Sequence, residues 1–534
     1  MRCRLFAVLI ATCLVLSLAL PAMCQSTASG QGFSAVQLRP DVVEKLRSQG
    51  KAFDRDRFPN SINQGKKFNP GGGLVGQLQT AATQNVLVIF VQFSDAPPGG
   101  PATRLDLSYY DNLLFGDTYD PQEYAAYSDH PIDRTLKNYY KDVSYGKVEV
   151  VTLNMPSGMG WAQSGHPYSY YSQADGIHDN GFGPFPNNAQ GLVLDAVNAV
   201  DSVVNFSNYA IDGEVPNLFV VFAGTGAEWS GAYDLIWSHS WSLPTPITRD
   251  GVTIRNYAMM PEVGGDLTGF AGPADTPFPP TVGVFAHEYG HVLGLPDQYD
   301  YGYESQGTGA FSLMAGGSWN YYPNVAIFNG NSPAYLDAWS KYRLGFVTPT
   351  VITNSTQALL PPAGDRNATT PVVYKMVVPN SGGKEYFLFE NRQQIGFDEG
   401  LIRRNVHGLA IYHVDDVVLN RNYWRPNEAE NWKEFRSEGA RKAWTGETHY
   451  GVSIIQADDQ WGLEHGISAG FTGDLYPGPL NVMNFGNDSK PNSSSYYFWA
   501  GSAPKFGYSG ITADNIIETG EGNISVNFSF VPVH

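Results

Sequence analysis

Two histidines four residues apart, with a glutamate beside the first, stand in residues 285–300, which read FAHEYGHVLGLPDQYD. On a helix, His287 and His291 lie on one face, one turn apart. This spacing lets two imidazole nitrogens share one tetrahedral zinc ion. Glu288 is then placed to act as general base toward a water molecule that the metal activates. The pattern therefore predicts metal-assisted hydrolysis.

The flanking residues predict where this helix begins and ends. Thr281 is the expected N-cap, and apolar residues at helical spacing follow it. Gly294 is placed to end the helix, and Pro296 prevents it from resuming. The chain then turns back and presents Asp297, whose carboxylate is an acceptable third zinc ligand and leaves the fourth position to water.

The alternative interpretation is a helix with two surface histidines and an ordinary end. A bare HExxH pattern is expected by chance in about one chain in a hundred of this composition. The glycine and aspartate at fixed offsets make chance rarer by a further factor of about a hundred. The metal site is therefore favoured over the surface helix.

A methionine in a Gly-rich turn follows the motif, in residues 312–319 (SLMAGGSW). HExxHxxGxxD followed by such a methionine resembles the metzincin clan of peptidases, in which the methionine, here Met314, is an apolar floor under the metal. The aspartate ligand and the SLMAGGSW form are most similar to the immune inhibitor A family of secreted metallopeptidases. FLFENRQ (387–393) and DLYPG (474–478) extend the resemblance, which runs from about residue 85 to about 480.

Residues 1–24 are typical of a secretory signal, with two arginines before an apolar run and a cleavage region ending at Cys24. A lipoprotein anchor on Cys24 is the competing interpretation. All three cysteines lie in this presequence, so the mature chain is predicted to have neither disulfide nor thiol chemistry. The net charge of −18 argues against nucleic acid or an anionic membrane as partner.

Residues 25–84 are predicted to be a propeptide or N-terminal leader. Amphipathic residues 40–50 form a short helix, and a basic stretch rich in Gly and Pro follows. One interpretation is a segment that covers the cleft, with a carboxylate such as Asp54 or Asp56 on the zinc. The other is a plain linker.

Residues 85–350 are predicted to form the catalytic domain and residues 351–534 a β-rich module. The fold class is α+β: a metzincin-like domain with a mixed sheet and an active-site helix, followed by a sandwich-like unit with alternating strands. Calcium could bind its acidic turns, although solvated carboxylates are the simpler interpretation. The calcium candidates are Asp415, Asp416, Asp458, Asp459 and Asp474.

We therefore expect a secreted, monomeric zinc endopeptidase that acts on proteins or peptides. His287, His291 and Asp297 bind the metal, and Glu288 is the general base. Tyr321 or Tyr322, just beyond the methionine turn, is a candidate hydrogen-bond donor to the oxyanion. The alternatives are an extracellular adhesion protein with a non-catalytic zinc site and a metal hydrolase that acts on another bond. An intact Glu288 argues against a purely structural zinc, which needs no base.

Overall fold

The structure is a computed structural model. It describes residues 33–50, 58–59, 82–97, 104–118, 134–172, 180–271, 273–322, 329–368, 370, 372–429, 450–497, 499 and 507–531. The predicted signal residues 1–24 and the two carboxylates Asp54 and Asp56 lie outside these residues.

Strands and helices alternate in the first two thirds of the chain, and strands dominate afterwards. The strands are β1 Ser34–Ala35, β2 Ala82–Asn85, β3 Leu87–Gln92, β4 Val148–Val151, β5 Trp161–Gln163, β6 Glu214–Val215, β7 Leu218–Thr225, β8 His239–Arg249, β9 Val252–Val263, β10 Thr350–Val351, β11 Thr356–Leu360, β12 Val373–Val377, β13 Glu385–Arg392, β14 Gly408–Asp415, β15 Val452–Ile454, β16 Ile511–Glu518 and β17 Ile524–Phe530. The α-helices are α1 Pro40–Ser48, α2 Leu107–Tyr110, α3 Leu136–Val143, α4 Pro156–Met159, α5 Tyr168–Tyr171, α6 Ala189–Val200, α7 Val282–Val292, α8 Ala338–Arg343 and α9 Asp416–Arg421.

A mixed sheet forms the framework of the first domain. Within the described residues it has seven strands, in the order β1-β8-β9-β7-β3-β5, with β6 paired to β9. The pairs β9–β7, β7–β3 and β3–β5 are parallel, whereas β8 runs antiparallel to both β9 and β1. Mixed sheet and helices together make the α+β arrangement that the sequence predicts.

The motif helix α7 is buried along its whole length. Every residue from Val282 to His291 is buried, because the helix packs between the sheet and α3. The Tyr140 hydroxyl on α3 donates to the Ala286 carbonyl oxygen at 2.6 Å, and its ring meets that of Tyr289 edge-on at 4.8 Å. Helix α7 is therefore held rigidly, as a site that must fix three ligands requires.

Thr281 occupies the predicted N-cap position, but its hydroxyl makes no capping bond and donates instead to the Asn329 carbonyl oxygen. The helix ends at Val292, and Gly294 follows in a left-handed conformation with φ +99°. Its N–H donates to the His291 carbonyl oxygen at 2.8 Å. Glycine adopts this conformation without a steric penalty, so the helix stops where the sequence predicts.

Two further sheets are built by the residues after 350. The five-stranded sheet has the order β10-β12-β13-β14-β15, and the three-stranded sheet has the order β11-β17-β16. Side chains of both sheets, such as Phe389 and Phe528 with ring centroids 4.8 Å apart, share one apolar core. Face-to-face packing of this kind is a sandwich feature.

The other face of the five-stranded sheet packs against the first domain, because Tyr386 and Tyr412 belong to the same core as α7. A buried ion pair reinforces this contact: Arg392 donates twice to Asp398, at 2.6 Å each, and once to the Phe311 carbonyl oxygen. Strand β13, whose last residue is Arg392, therefore fixes the backbone at Phe311, three residues before Met314. Such bidentate pairs fix geometry as well as contribute energy.

Strand β2 (Ala82–Asn85) pairs in parallel with β4. In the part of the chain that the structure describes, no helix combines the length and apolar character needed to cross a membrane.

Candidate metal centre and active-site cleft

Three candidate ligand atoms from the motif converge in a buried site. The two histidine Nε2 atoms, of His287 and His291, lie 3.0 Å apart. Asp297 Oδ1 lies 3.1 Å from the first and 3.3 Å from the second. Ligands on a zinc tetrahedron with bonds of about 2.0–2.1 Å would lie about 3.3 Å apart. The three predicted ligands are thus spaced as a zinc ion requires.

The hydrogen bonds on the far side of each ring fix which nitrogen faces the centre. His287 Nδ1 lies 2.8 Å from the Leu313 carbonyl oxygen, and His291 Nδ1 lies 2.8 Å from the Leu295 carbonyl oxygen. Carbonyl oxygens only accept, so each Nδ1 carries the proton and each neutral ring directs its Nε2 lone pair inward. Burial lowers the pKa of His287, which keeps that ring neutral as a ligand must be.

The arrangement fits a cation. Two lone pairs and a carboxylate oxygen face one another in a buried site, and Asp297 Oδ1 has no hydrogen-bond donor among the described residues. Acceptors at such distances repel unless a positive charge lies between them.

Glu288 lies within 4.8 Å of the two histidine ligand atoms, inside the same cluster. It is fully buried, and burial together with the negative charge of Asp297 holds its pKa well above the usual range. Its Oε2 has no hydrogen-bond donor in the described part of the chain. A buried carboxylate with a free oxygen beside a metal site can accept a proton from water.

Met314 packs directly beneath the motif helix. A Cβ atom on Gly290 would lie 2.5 Å from its Sδ and 3.1 Å from its Cε. The motif therefore needs glycine at this position to let the methionine approach. Met314 is fully buried, and its carbonyl oxygen accepts from the N–H of Gln298, next to Asp297. The methionine turn thus supports both the helix and the third ligand.

Residues 75–346 are similar to a known family of peptidases. The family profile described as "Immune inhibitor A peptidase M6, catalytic domain" matches residues 75–346, about half of the chain. The chain belongs to the immune inhibitor A peptidase family. It therefore contains the catalytic domain of a metallopeptidase, and residues 287–297 lie inside the matched range.

Two relatives of the family show how far the similarity extends. Immune inhibitor A of Bacillus thuringiensis subsp. alesti is 32% identical over 294 residues, which cover 46% of this chain and 40% of that protein. Pre-pro-metalloprotease PrtV of Vibrio cholerae serotype O1 (strain M66-2) is 28% identical over 304 residues, covering 50% of this chain and 30% of that protein. The chain thus aligns with less than half the length of either relative.

Residues 33–39, which we call the cleft segment, contact the candidate metal centre. The Val36 N–H donates to Glu288 Oε1 at 3.0 Å, and the Ala35 N–H contacts Asp297 Oδ2 at 3.3 Å. Two tryptophan ring N–H groups, one from Trp237 and one from Trp319, donate to carbonyl oxygens of the segment at 2.8 Å each. The sequence gives no signal for these contacts.

The cleft segment is also anchored by side chains. Phe33 is fully buried, with its ring centroid 4.9 Å from Phe182, 5.5 Å from Trp241 and 5.8 Å from His239. Next along the segment, strand β1 pairs antiparallel with β8 through Ala35 and His239. The segment therefore lies in the cleft as an added edge strand.

Three tyrosines follow the third ligand at alternate positions, and each contacts the cleft segment. Tyr299 OH donates to the Ala35 carbonyl oxygen at 2.6 Å. Tyr301 OH donates to Asp297 Oδ2 at 2.6 Å and accepts from the Ala35 N–H. Tyr303 OH accepts from the Leu38 N–H. Sequence reasoning missed this group, although its period-two spacing was visible.

The two tyrosines beyond the methionine turn have partners of their own. Tyr322 OH accepts from Arg134 Nε, and the Arg403 guanidinium lies over the Tyr321 ring at 3.8 Å. His239 is a packed residue, because its ring nitrogens contact the Trp237 carbonyl oxygen and Tyr257 OH.

The acidic candidates for calcium serve turns and caps. Asp415 Oδ1 caps α9 by accepting from the Val417 N–H, and Asp459 Oδ1 accepts from Trp461 Nε1. Asp416 lies beside Tyr386, and burial raises its pKa to about 6. Asp458 and Asp474 each accept one backbone N–H.

Proposed function

We propose that this chain is a secreted zinc-dependent endopeptidase. The observation that carries the proposal is the convergence of His287 Nε2, His291 Nε2 and Asp297 Oδ1 beside Glu288. Membership of a metallopeptidase family supports it. Because the chain matches only part of each relative, the activity is argued from this site and not carried over from them.

The chain's own residues have distinct tasks in this proposal. His287, His291 and Asp297 would hold zinc, which when bound polarises the scissile carbonyl and lowers the pKa of water. Glu288 accepts a proton from the attacking water and donates it to the leaving nitrogen. The contact between Glu288 Oε1 and the Val36 N–H, at 3.0 Å, supports this second task, since it joins the carboxylate to a peptide nitrogen.

Substrate would bind as an extended strand along β8. The cleft segment pairs antiparallel with Ser240 and His239 of that strand, and this pairing would orient any peptide placed there. Backbone hydrogen bonds of this kind bind many sequences, because they do not depend on side chains. Side-chain preference would then come from the aromatic pocket that Phe33 occupies.

We also propose that residues 25–84 form a propeptide that blocks the cleft until it is removed. The hydrogen bonds of Ala35 and Val36 to Asp297 and Glu288 support the propeptide over a linker. Backbone atoms of the cleft segment would obstruct the site. The signal at residues 1–24 would be removed before the propeptide, when the chain is exported.

In this proposal residues 351–534 are a β-sandwich module that supports the catalytic domain through the core shared at Tyr386 and Tyr412. Calcium remains a secondary proposal. It rests on two buried carboxylate oxygens, Asp458 Oδ2 and Asp474 Oδ1, that have no hydrogen-bond donor among the described residues.

The experiment is hydrolysis of unfolded casein by the full chain after limited proteolysis has released the leader. We expect cleavage that a chelator abolishes and that added zinc restores. The competing function is an extracellular binding protein with a non-catalytic metal. If the nicked chain binds zinc but cleaves neither casein nor a peptide library, that function replaces the endopeptidase.

A further inference from the structure

One peptide unit of the cleft segment is held at both of its polar atoms. The Ala35 carbonyl oxygen accepts from Tyr299 OH at 2.6 Å, and the Val36 N–H donates to Glu288 Oε1 at 3.0 Å. These are the carbonyl and the nitrogen of a single peptide bond. Glu288 belongs to the cluster of candidate ligands, and the Ala35 N–H contacts Asp297 Oδ2 at 3.3 Å, so this peptide lies where the reaction would take place.

The peptide is also oriented as a bound chain would be. Strand β1 pairs with β8, and Trp237 Nε1 and Trp319 Nε1 donate to the next two carbonyl oxygens, of Val36 and Gln37. The contacts are made to backbone atoms, which every peptide substrate possesses. The cleft segment therefore indicates which protein groups meet the carbonyl and the nitrogen of a peptide in this cleft.

We propose that Tyr299 is a further catalytic residue, whose hydroxyl donates a hydrogen bond to the carbonyl oxygen of the scissile peptide. The assignment rests on the proposed peptidase function. Hydrolysis adds the oxygen of one water to the carbonyl carbon, and the carbon–nitrogen bond breaks as the nitrogen gains a proton. Negative charge develops on the carbonyl oxygen in between, and the Tyr299 hydroxyl stabilises it.

Burial and ring stacking hold the Tyr299 side chain in place, as a hydrogen-bond donor that is positioned before the reaction requires. Its side chain is 1% exposed, and its ring stacks on that of Tyr301 at 4.9 Å with an interplanar angle of 11°. Tyr301 is in turn fixed by its bond to Asp297. A donor held in advance at the position of developing charge contributes more than one that must be ordered during the reaction.

The neighbouring tyrosine has a different task. Tyr301 OH donates to Asp297 Oδ2 at 2.6 Å, so it orients the third metal ligand and is a positioning residue. Loss of this hydroxyl would change metal affinity. Loss of the Tyr299 hydroxyl would leave metal affinity intact and weaken the transition state. The two substitutions therefore have separable signatures.

The test compares the full chains of wild type, Tyr299→Phe and Tyr209→Phe, each nicked to release the leader. Tyr209 is the control, because it is also a buried tyrosine whose hydroxyl donates to Asn154 Oδ1, but it belongs to a different apolar core from the one that contains α7 and Tyr299. We expect Tyr299→Phe to keep one zinc per chain and the wild-type KM, and to lose about 100-fold to 1,000-fold in kcat. Tyr209→Phe should keep the wild-type kcat.

A binding measurement separates catalysis from folding. The affinity for a phosphinic peptide, whose tetrahedral oxygens resemble the transition state, should fall in Tyr299→Phe by the same factor as kcat/KM. Unchanged kcat with full zinc content would overturn the assignment, and so would a loss of zinc in parallel with activity. If wild type itself cleaves no peptide, the proposed function fails and the assignment fails with it.

Discussion

Truncation of Phe33 should release the cleft segment and activate the uncleaved chain. The ring is fully buried and contacts Phe182, Trp241 and His239 at centroid distances of 4.9–5.8 Å. Replacing a fully packed phenylalanine by alanine costs about 3–5 kcal/mol. At about 1.4 kcal/mol per tenfold change, the open form should become more populated by a factor of about 100 or more.

The assay is the initial rate of hydrolysis of a fluorogenic peptide by the full chain, with mass spectrometry to confirm that the leader is intact. Phe33→Ala should raise this basal rate by about 100-fold, or to the rate of the nicked enzyme if that limit is reached first. Phe33→Leu, which keeps much of the apolar volume, should raise it less. Glu44→Ala, on the exposed face of α1, should leave it unchanged.

The same factor of about 100 should appear when the cleft segment is added to the nicked enzyme as a separate peptide. A synthetic peptide of residues 33–50 should inhibit the nicked enzyme, and its Phe33→Ala version should inhibit about 100-fold less tightly. The reasoning is refuted if uncleaved Phe33→Ala has wild-type basal activity although nicking activates both proteins. Such a result would mean that the ring does not hold the segment in the cleft.

Three further predictions concern stability. Burial raises the pKa of Glu464 from 4.5 to about 8, so the folded chain binds this proton more tightly than the unfolded chain does, and the free energy of unfolding should fall as pH rises through that interval. Glu464→Gln should lose less stability than wild type between pH 5 and pH 8.5, and an equal loss in the two proteins, measured by chemical denaturation, would contradict the prediction. Gly290→Ala places a methyl group 2.5 Å from Met314 Sδ and should lower stability by about 1–3 kcal/mol, with a smaller cost in a Met314→Ala background; equal costs in a double-mutant cycle would count against the contact. Chelation of zinc should lower the melting temperature of wild type but not of His291→Ala, since binding at a thousand times the dissociation constant adds about 4 kcal/mol.

The convergence of His287, His291 and Asp297 could be predicted because its geometry is local. The two histidines are one helical turn apart, and Gly294 brings the chain back to Asp297 within a few residues. Such spacings depend only on backbone geometry. Strand β17 has a similarly local signal, because its apolar residues stand at alternate positions and face one core.

The cleft segment could not be predicted, because its contacts with Glu288 and Asp297 join residues more than 250 positions apart. A two-residue strand has no periodicity to detect, and its partner β8 contains Pro244 and Pro246, which normally argue against a strand. The strand accommodates them with an irregularity between Ser242 and Ile247. The role of Tyr299 depends on this same long-range arrangement.

The sequence of residues 332–345 (SPAYLDAWSKYRLG) is typical of one helix, but the helix in the structure is shorter. Helix α8 begins only at Ala338, because Asp337 is its N-cap and accepts from the Ser340 N–H at 3.0 Å. The residues before it are extended and deliver hydrogen bonds to the methionine turn, such as the Ala334 N–H to Gly317. The capping signal was present in the sequence, but apolar periodicity outweighed it.

The most direct measurement of the central claim compares zinc content and peptide hydrolysis in wild type and Glu288→Gln. Glutamine keeps the size of the side chain but cannot accept a proton from water. We expect both nicked proteins to bind one zinc ion and only wild type to cleave peptides, with Glu288→Gln slower by several orders of magnitude. Equal cleavage by the two proteins, or loss of zinc from the variant, would contradict the assignment of Glu288 as a base outside the ligand set.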